Sequence, residues 1–303
     1  MRPAPKVLVV GDVMIDLIVR PEGPIAIGTD RRARIVARPG GSGANQAAWL
    51  AHCGVATTFV GRVAAADVAA QTAHLEACGV AARLAGDADR ETGRLIALID
   101  SSGERSFLTD RGANDGLCEA DLPDALVAAA DLVHLSGYSF VAPSPRGVVR
   151  GVIARAGARP VSVDPASAEF LREVGPDAFL AWTQGAQICF PNADEAAVLT
   201  GSENGEAQLA ALASHYPLVV IKRGAQGCEA AAGAERWRVP APAVAAIDTT
   251  GAGDAFVAAF LAARLGGASV EDGLACAAAA GAQATRFVGG RPPAVEDRAS
   301  AGP

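Results

Sequence analysis

The chain has 303 residues and a formal net charge of -7; 50% of its residues are hydrophobic and 19% charged. That composition provides for a sizeable core, excludes a disordered main body, and argues against nucleic acid as a partner, because neutralising phosphates takes a basic surface. No stretch of about 18 uncharged apolar residues occurs, which excludes a membrane-spanning helix. Asp12 and Asp16 interrupt the only apolar stretch near the N-terminus, so no secretory leader is read there and a cytoplasmic location is expected.

Along the chain, short β-branched runs alternate with Ala/Leu-rich helical stretches. Lys6–Val10 predicts a first strand ending at Gly11, Ala44–His52 a helix stopped by Cys53-Gly54, Thr57–Gly61 a strand and Val68–Ala77 a helix. Further strands are expected at Leu132–Leu135, Val161–Val163, Ile188–Phe190 and Leu218–Ile221. Further helices are expected at Arg146–Ala156, Glu195–Leu199, Ala207–Ala213, Ala255–Leu265 and Val270–Ala284. The alternation implies βαβ units, an α/β fold with a mostly parallel sheet and helices on both faces.

Two stretches break that rhythm. Val13–Arg38 alternates apolar residues without helical periodicity, and Thr92–Thr109 reads as a hairpin turning at Ser101-Ser102-Gly103. Together they suit either a small antiparallel sheet standing apart as a lid, over about 13–38 and 92–111, or an ordinary edge hairpin. The Pro- and Gly-rich stretch after Arg291 reads as a frayed tail, and 1–303 as a single domain.

The six cysteines are scattered without a C-x-x-C, and the four histidines form no ligand pattern, so reduced thiols are expected and zinc is not. Lys6 and Lys222 are the only lysines, and neither completes a P-loop. Any nucleotide must be held in another way. The segment Asp248-Thr249-Thr250-Gly251-Ala252-Gly253-Asp254 leads straight into an apolar helix. A helix start offers unpaired N–H groups and a positive dipole end, and glycine lets a phosphate approach closely. Asp254 would stand beside that anion site, placed to take a proton from an attacking hydroxyl. The same pattern also suits a Gly-rich turn whose acidic residue merely complements the helix. A second glycine cluster, Gly40-Gly41-Ser42-Gly43-Ala44-Asn45, also precedes a helix, and its Asn45 amide suits a polyhydroxyl ligand. Neither cluster is a dinucleotide fingerprint, because Gln46 and Phe256 stand where the third glycine belongs. Asn192 and Glu195 follow one strand, and Lys222, Gly224 and Gly227 the next, at strand ends where open α/β sheets bind ligands. Taken singly, Asn192 also reads as a helix cap and Lys222 as a solvated charge.

In this order the motifs resemble the ribokinase-like (PfkB) family of carbohydrate kinases over Lys6–Pro292. Gly11-Asp12 with Asp16, Gly40–Asn45, Gly112-Ala113-Asn114, Asn192–Glu195, Gly224–Gly227 and Asp248–Asp254 carry the resemblance. It implies an α/β core with a β-sheet lid, ATP as phosphate donor, Mg2+ as the bridging ion, and a homodimer paired through the lid. It implies that Asp254 is the catalytic base and that the amides of Gly251, Ala252 and Gly253 form the anion hole. Asp16, Gly41, Ser42 and Asn45 would then meet the sugar, while Asn192 and Glu195 organise phosphates and Mg2+. Lys222, Gly224 and Gly227 would line the nucleotide, and Asp248 and Thr250 resemble positions that hold a monovalent cation in some members. The chain departs from ribokinase at Met14, Ser42 and Thr285–Pro293, which speaks against ribose and against potassium activation. Arg105 and Arg111 would either meet an acid group or face solvent. A nucleoside kinase of the same superfamily, or a catalytically silent scaffold, shares the fold; an intact Asp254 beside its glycine turn argues against the latter.

Overall fold

A computed structural model describes residues 4–25, 27–100 and 105–293. The strands are β1 (Lys6–Val10), β2 (Met14–Pro21), β3 (Ala33–Gly40), β4 (Ala56–Ala64), β5 (Ala81–Asp87), β6 (Gly93–Ile99), β7 (Arg105–Asp110), β8 (Leu132–Ser136), β9 (Val161–Asp164), β10 (Ile188–Cys189), β11 (Leu218–Lys222), β12 (Cys228–Ala232) and β13 (Glu235–Val239). The helices are α1 (Ser42–His52), α2 (Val68–Glu76), α3 (Asp124–Ala129), α4 (Pro143–Arg155), α5 (Ala168–Val174), α6 (Pro176–Trp182), α7 (Ala193–Thr200), α8 (Gly205–Leu212), α9 (Ala252–Leu265) and α10 (Val270–Ala284).

The larger sheet runs β13-β12-β11-β10-β9-β8-β1-β4-β5. Its seven strands from β11 to β5 are mutually parallel, and β12 and β13 extend it as an antiparallel edge. Hydrophobic side chains on both faces make this possible. Leu8 and Val10 of β1 belong to the apolar cluster that takes in α4, α5, α7 and α8 on one side, and Val7 and Val9 to the one that takes in α1, α9 and α10 on the other. A sheet covered on both faces needs near-continuous apolar strands, and β1, β8 and β9 supply them. All six cysteines are free. Among the described residues no helix is long and apolar enough to cross a membrane.

The smaller sheet, ordered β3-β2-β6-β7, is built from the two irregular stretches. Each hairpin is antiparallel, but β2 and β6 join in parallel register, Asp16 opposite Leu95. The lid sheet is therefore mixed, not antiparallel throughout, because its two hairpins come from separate crossovers. The expected turn at Ser101-Ser102-Gly103 and the expected tail beyond Pro293 lie outside the described residues. Asn114 ties the lid root down: its amide donates to Val13 O and Arg111 O while its Oδ1 accepts from Val13 N, all at 2.9 Å. A Cβ on Gly93 would lie 2.4 Å from Asn114 Nδ2, so glycine there keeps the latch closed.

Candidate active site

The candidate residues gather at the carboxyl ends of the parallel strands, between the two sheets. The helix α9 starts there on Gly251, whose φ of 75° and 2.4 Å approach of a built Cβ to Gly290 O leave room for no side chain. Asp248 holds the turn in place, accepting from Thr250 N at 2.9 Å and from Gly289 N at 3.0 Å. Of the amides expected to form an anion hole, that of Ala252 already donates to Thr249 O at 3.3 Å, because the turn closes on itself before the helix begins. Gly253, one position further on, lies in the open first turn, and Asp254 follows it.

Asp254 is met by the start of α1. Ser42 Oγ donates to one of its carboxylate oxygens at 2.8 Å and Asn45 Nδ2 to the other at 3.2 Å. Burial, and then the charge of Asp164, push the Asp254 carboxyl up to about 8; the two hydrogen bonds and Lys222 pull it back only in part. Ser42 and Asn45, expected to meet the sugar, are thus also partners of the expected base. Gly41 is strained in a way only glycine tolerates, with φ 93° and a built Cβ 2.5 Å from Asp12 O. Asp12 organises this corner, accepting from Ser42 N and Gly43 N at 3.1 Å each and from Ser136 Oγ at 2.9 Å. Asp16, on lid strand β2, lies against Gly40 and is pushed up to about 6 by burial first and by Asp12 second.

A second cluster lies on the other side of Asp254. Lys222 Nζ donates to Asp164 Oδ1 at 2.7 Å, and Asp164 Oδ2 accepts from Gln46 Nε2 at 2.8 Å. The chain of bonds runs on through Gln46 Oε1 to His134 and Ser162, each at 2.8 Å. Burial, then Lys222, hold the His134 imidazole down at about 3, so it is neutral and serves as a rigid spacer. Asn192 is a helix cap after all: its Oδ1 accepts from Glu195 N while Glu195 Oε2 accepts from Asn192 N, a reciprocal box opening α7. The capped Glu195 is nonetheless buried, which, ahead of the opposing pull of Lys222, drives it up to about 8. Lys222 is accordingly no solvated charge: it stands among the buried Asp164 and Glu195 carboxyl groups and the half-buried Asp254.

Two cavities meet at these residues. One, of about 650 Å3, is lined by Asn192, Gly224, Gly227, Thr249 and Phe256, with Lys222 and Gly253 at its inner end. The other, of about 200 Å3, continues past Lys222 and Gly253 to Ser42, Tyr138, Glu195 and Asp254. Gly227 has a packing reason too, since a built Cβ would lie 2.0 Å from Val239 O. A separate hollow of about 330 Å3 opens at the opposite end of β1 and β4, beside Lys6 and Ala56, away from every residue above. Arg111 neither faces solvent nor stands free: it donates to Tyr138 O at 3.2 Å, lies 3.8 Å from Asp12, and covers the Tyr138 ring at 5.0 Å. The side chain of Arg105 lies outside the described residues. Sequence reasoning missed Asp164 and Arg291, and it read Asp12 only as part of a motif.

The pfkB family carbohydrate kinase pattern matches residues 4–297 of this chain. Fructokinase of Klebsiella pneumoniae is 31% identical over 291 residues, covering 90% of this chain and 88% of that one. The bifunctional protein HldE of Caulobacter vibrioides is 32% identical over 287 residues, spanning 87% of this chain but 56% of that longer relative. Adenosine kinase from Sinorhizobium meliloti shares the fold at a TM-score of 0.85, with 26% identity over 98% of this chain and 99% of that one. Ribokinase of Arabidopsis thaliana, solved with ribose and ATP, gives 0.77 with 30% identity over 94% of both chains. The protein belongs to the pfkB family of carbohydrate kinases, and its fold is ribokinase-like.

Proposed function

We propose that the chain transfers the γ-phosphoryl group of ATP to a hydroxyl of a sugar or sugar-like small molecule, both sheets serving one cleft. The observation that carries this reading is Asp254: a half-buried carboxyl at a helix start, lining a small polar cavity that meets a nucleotide-sized one at Lys222 and Gly253. In this reading the attacking hydroxyl gives its proton to Asp254, and Ser42 and Asn45 keep the carboxylate aimed at it. The first-turn amide of Gly253 and the Lys222 ammonium face the phosphoryl group as charge builds on it. ATP lies in the larger cavity over Gly224 and Gly227. Glu195 and Asp164 fit Mg2+, which favours one or two carboxylates plus phosphates over an all-protein cage; among the described residues there is no preformed group of three ligands. Such an ion, held by Glu195 and Asp164, would supply positive charge against that of the phosphates.

The lid supports a homodimer. Ile35 on β3 and Phe107 and Leu108 on β7 are 57–64% exposed, and β3 and β7 are the two open edges of the lid sheet. Ile25 and Ile27 lie in the loop between β2 and β3, 62% and 103% exposed. By register Ile35 and Leu108 share one face of the sheet, which a second copy laid on it would cover, while Phe107 lies on the other face at the edge. The test of function is coupled ADP release across D-fructose, D-ribose, adenosine and sugar acids. Turnover of a sugar that is abolished in Asp254→Asn upholds the proposal; a clear preference for adenosine transfers the reading to a nucleoside kinase.

A further inference from the structure

Among the described residues, two of the buried polar atoms without a hydrogen-bond partner at the lid root are opposite in kind. Asp16 Oδ1 accepts from no donor, and Arg291 Nη1 donates to no acceptor. Both side chains are gathered around Gly40. A Cβ built on Gly40 would lie 2.2 Å from the Asp16 carboxyl atoms, and Arg291 Nη2 donates to Gly40 O at 3.4 Å. The guanidinium is steadied further by Nε, which donates to Asn45 Oδ1 at 3.4 Å. Each group feels the other's charge, yet the two orphaned atoms do not satisfy one another. A buried donor or acceptor left unmade costs about 1–3 kcal/mol, so an adjacent pair of them calls for a ligand.

Resting on the sugar-kinase reading above, we infer that Arg291 and Asp16 jointly bind a hydroxyl of the substrate, which makes the anchored end a neutral polyol. A hydroxyl is donor and acceptor at once: its proton goes to Asp16 Oδ1 and its oxygen accepts from Arg291 Nη1. A phosphate or carboxylate brings acceptors only. It would leave Asp16 without a donor and set like charges against both Asp16 and Asp12. Arg111 does not offset this, because its charge already faces Asp12 at 3.8 Å and Asp115 at 3.6 Å. Arg291 is therefore a specificity residue of the site.

The experiment compares wild type, Arg291→Met and Arg291→Lys by ADP release with D-fructose, D-ribose, ribose 1-phosphate and D-gluconate. It adds the monodeoxy analogues of the better neutral sugar, and calorimetry of sugar binding without ATP. Losing a charge-assisted bond should raise KM for the neutral sugar roughly 10- to 100-fold in Arg291→Met, with kcat little changed. KM for ATP should hold, since Arg291 lines no part of the larger cavity. One deoxy analogue, poor with wild type, should lose much less against its parent with Arg291→Met, where only the Asp16 bond is left to lose. If that variant does not fold, Arg291→Lys, which keeps charge but not the fork, carries the same comparison. An unchanged KM, or wild-type preference for ribose 1-phosphate or gluconate, overturns the inference. So does a fall confined to kcat, which is what loosening Asn45 against Asp254 would give. If wild type released no ADP with any compound, the kinase reading would fall, and calorimetry with the two neutral sugars would still decide the role of Arg291.

Discussion

Ser42→Ala removes the hydroxyl that donates to Asp254 at 2.8 Å, and its effect should appear in the pH dependence of turnover. Burial and then Asp164 push Asp254 up to about 8 against the bonds from Ser42 and Asn45. A hydrogen bond to a charged group is worth about 1.5–3 kcal/mol net, and one pH unit in an ionisation corresponds to about 1.36 kcal/mol. Loss of the Ser42 bond therefore raises Asp254 by roughly one to two pH units, with the lower figure expected where water takes over from the hydroxyl. A base acts only when ionised. Wild-type kcat/KM, which reports the free enzyme, should thus rise with pH through about 8. In Ser42→Ala the same limb should come about one unit later, giving about a tenfold loss at pH 7 that closes as the medium becomes alkaline. Coupled ADP release under limiting sugar, from about pH 6 to 10, reads both limbs, with Asp254→Asn as the variant that has none. A variant limb superimposed on wild type, or an equal loss at every pH, would refute the argument that Ser42 acts through the ionisation of Asp254.

Asp254→Asn should fold and lower kcat by about 10² to 10⁴, the usual worth of a general base; near-normal kcat would remove Asp254 from the mechanism. The same variant tests linkage. Asp254 and Glu195, both held at about 8, keep protons that the unfolded chain releases near pH 4. Their contribution to stability is full below about pH 4 and is lost as pH rises toward 8, so Asp254→Asn should gain in Tm over wild type at pH 8 and not at pH 4. Gly40→Ala places a methyl 2.2 Å from the Asp16 carboxyl, so KM for sugar should rise about tenfold or more while KM for ATP holds; a parallel rise in both would sink the division of the cleft. Sedimentation should give twice the chain mass of 30.5 kDa, and Ile35→Glu with Leu108→Glu should halve it; a wild-type monomer defeats the lid pairing.

The parallel core was legible because β-branched strands and Ala/Leu helices obey different periods, and Val270–Ala284 came out residue for residue. What escaped were elements whose composition points elsewhere. Strand β12, Cys-Glu-Ala-Ala-Ala, has the makeup of a helix and is a strand because β11 and β13 pair with it on both sides. Strand β5 carries no β-branched residue and is held by its register with β4. The glycine motifs of the site were legible for a local reason: the close approaches at Gly41 and Gly251 need glycine wherever the chain goes afterwards. Asp164 and Arg291 were not, since their partners lie far away in sequence, 58 and 118 residues for Asp164 and 246 and 251 for Arg291. One signal for Asp164 was nonetheless present. A lysine at the end of an apolar strand, in a chain with two lysines, is buried only with a carboxylate to meet it. In a parallel sheet that carboxylate must come from the same end of a nearby strand, and Val161–Val163 is followed directly by Asp164. Arg291 had no such signal, because nothing in Gly-Gly-Arg-Pro-Pro shows that its neighbours in space are a glycine carbonyl and an amide from the other end of the chain. Its role exists only where α1, the lid root and the C-terminal loop converge, and there its unpartnered nitrogen beside an unpartnered carboxylate identifies the group that belongs between them.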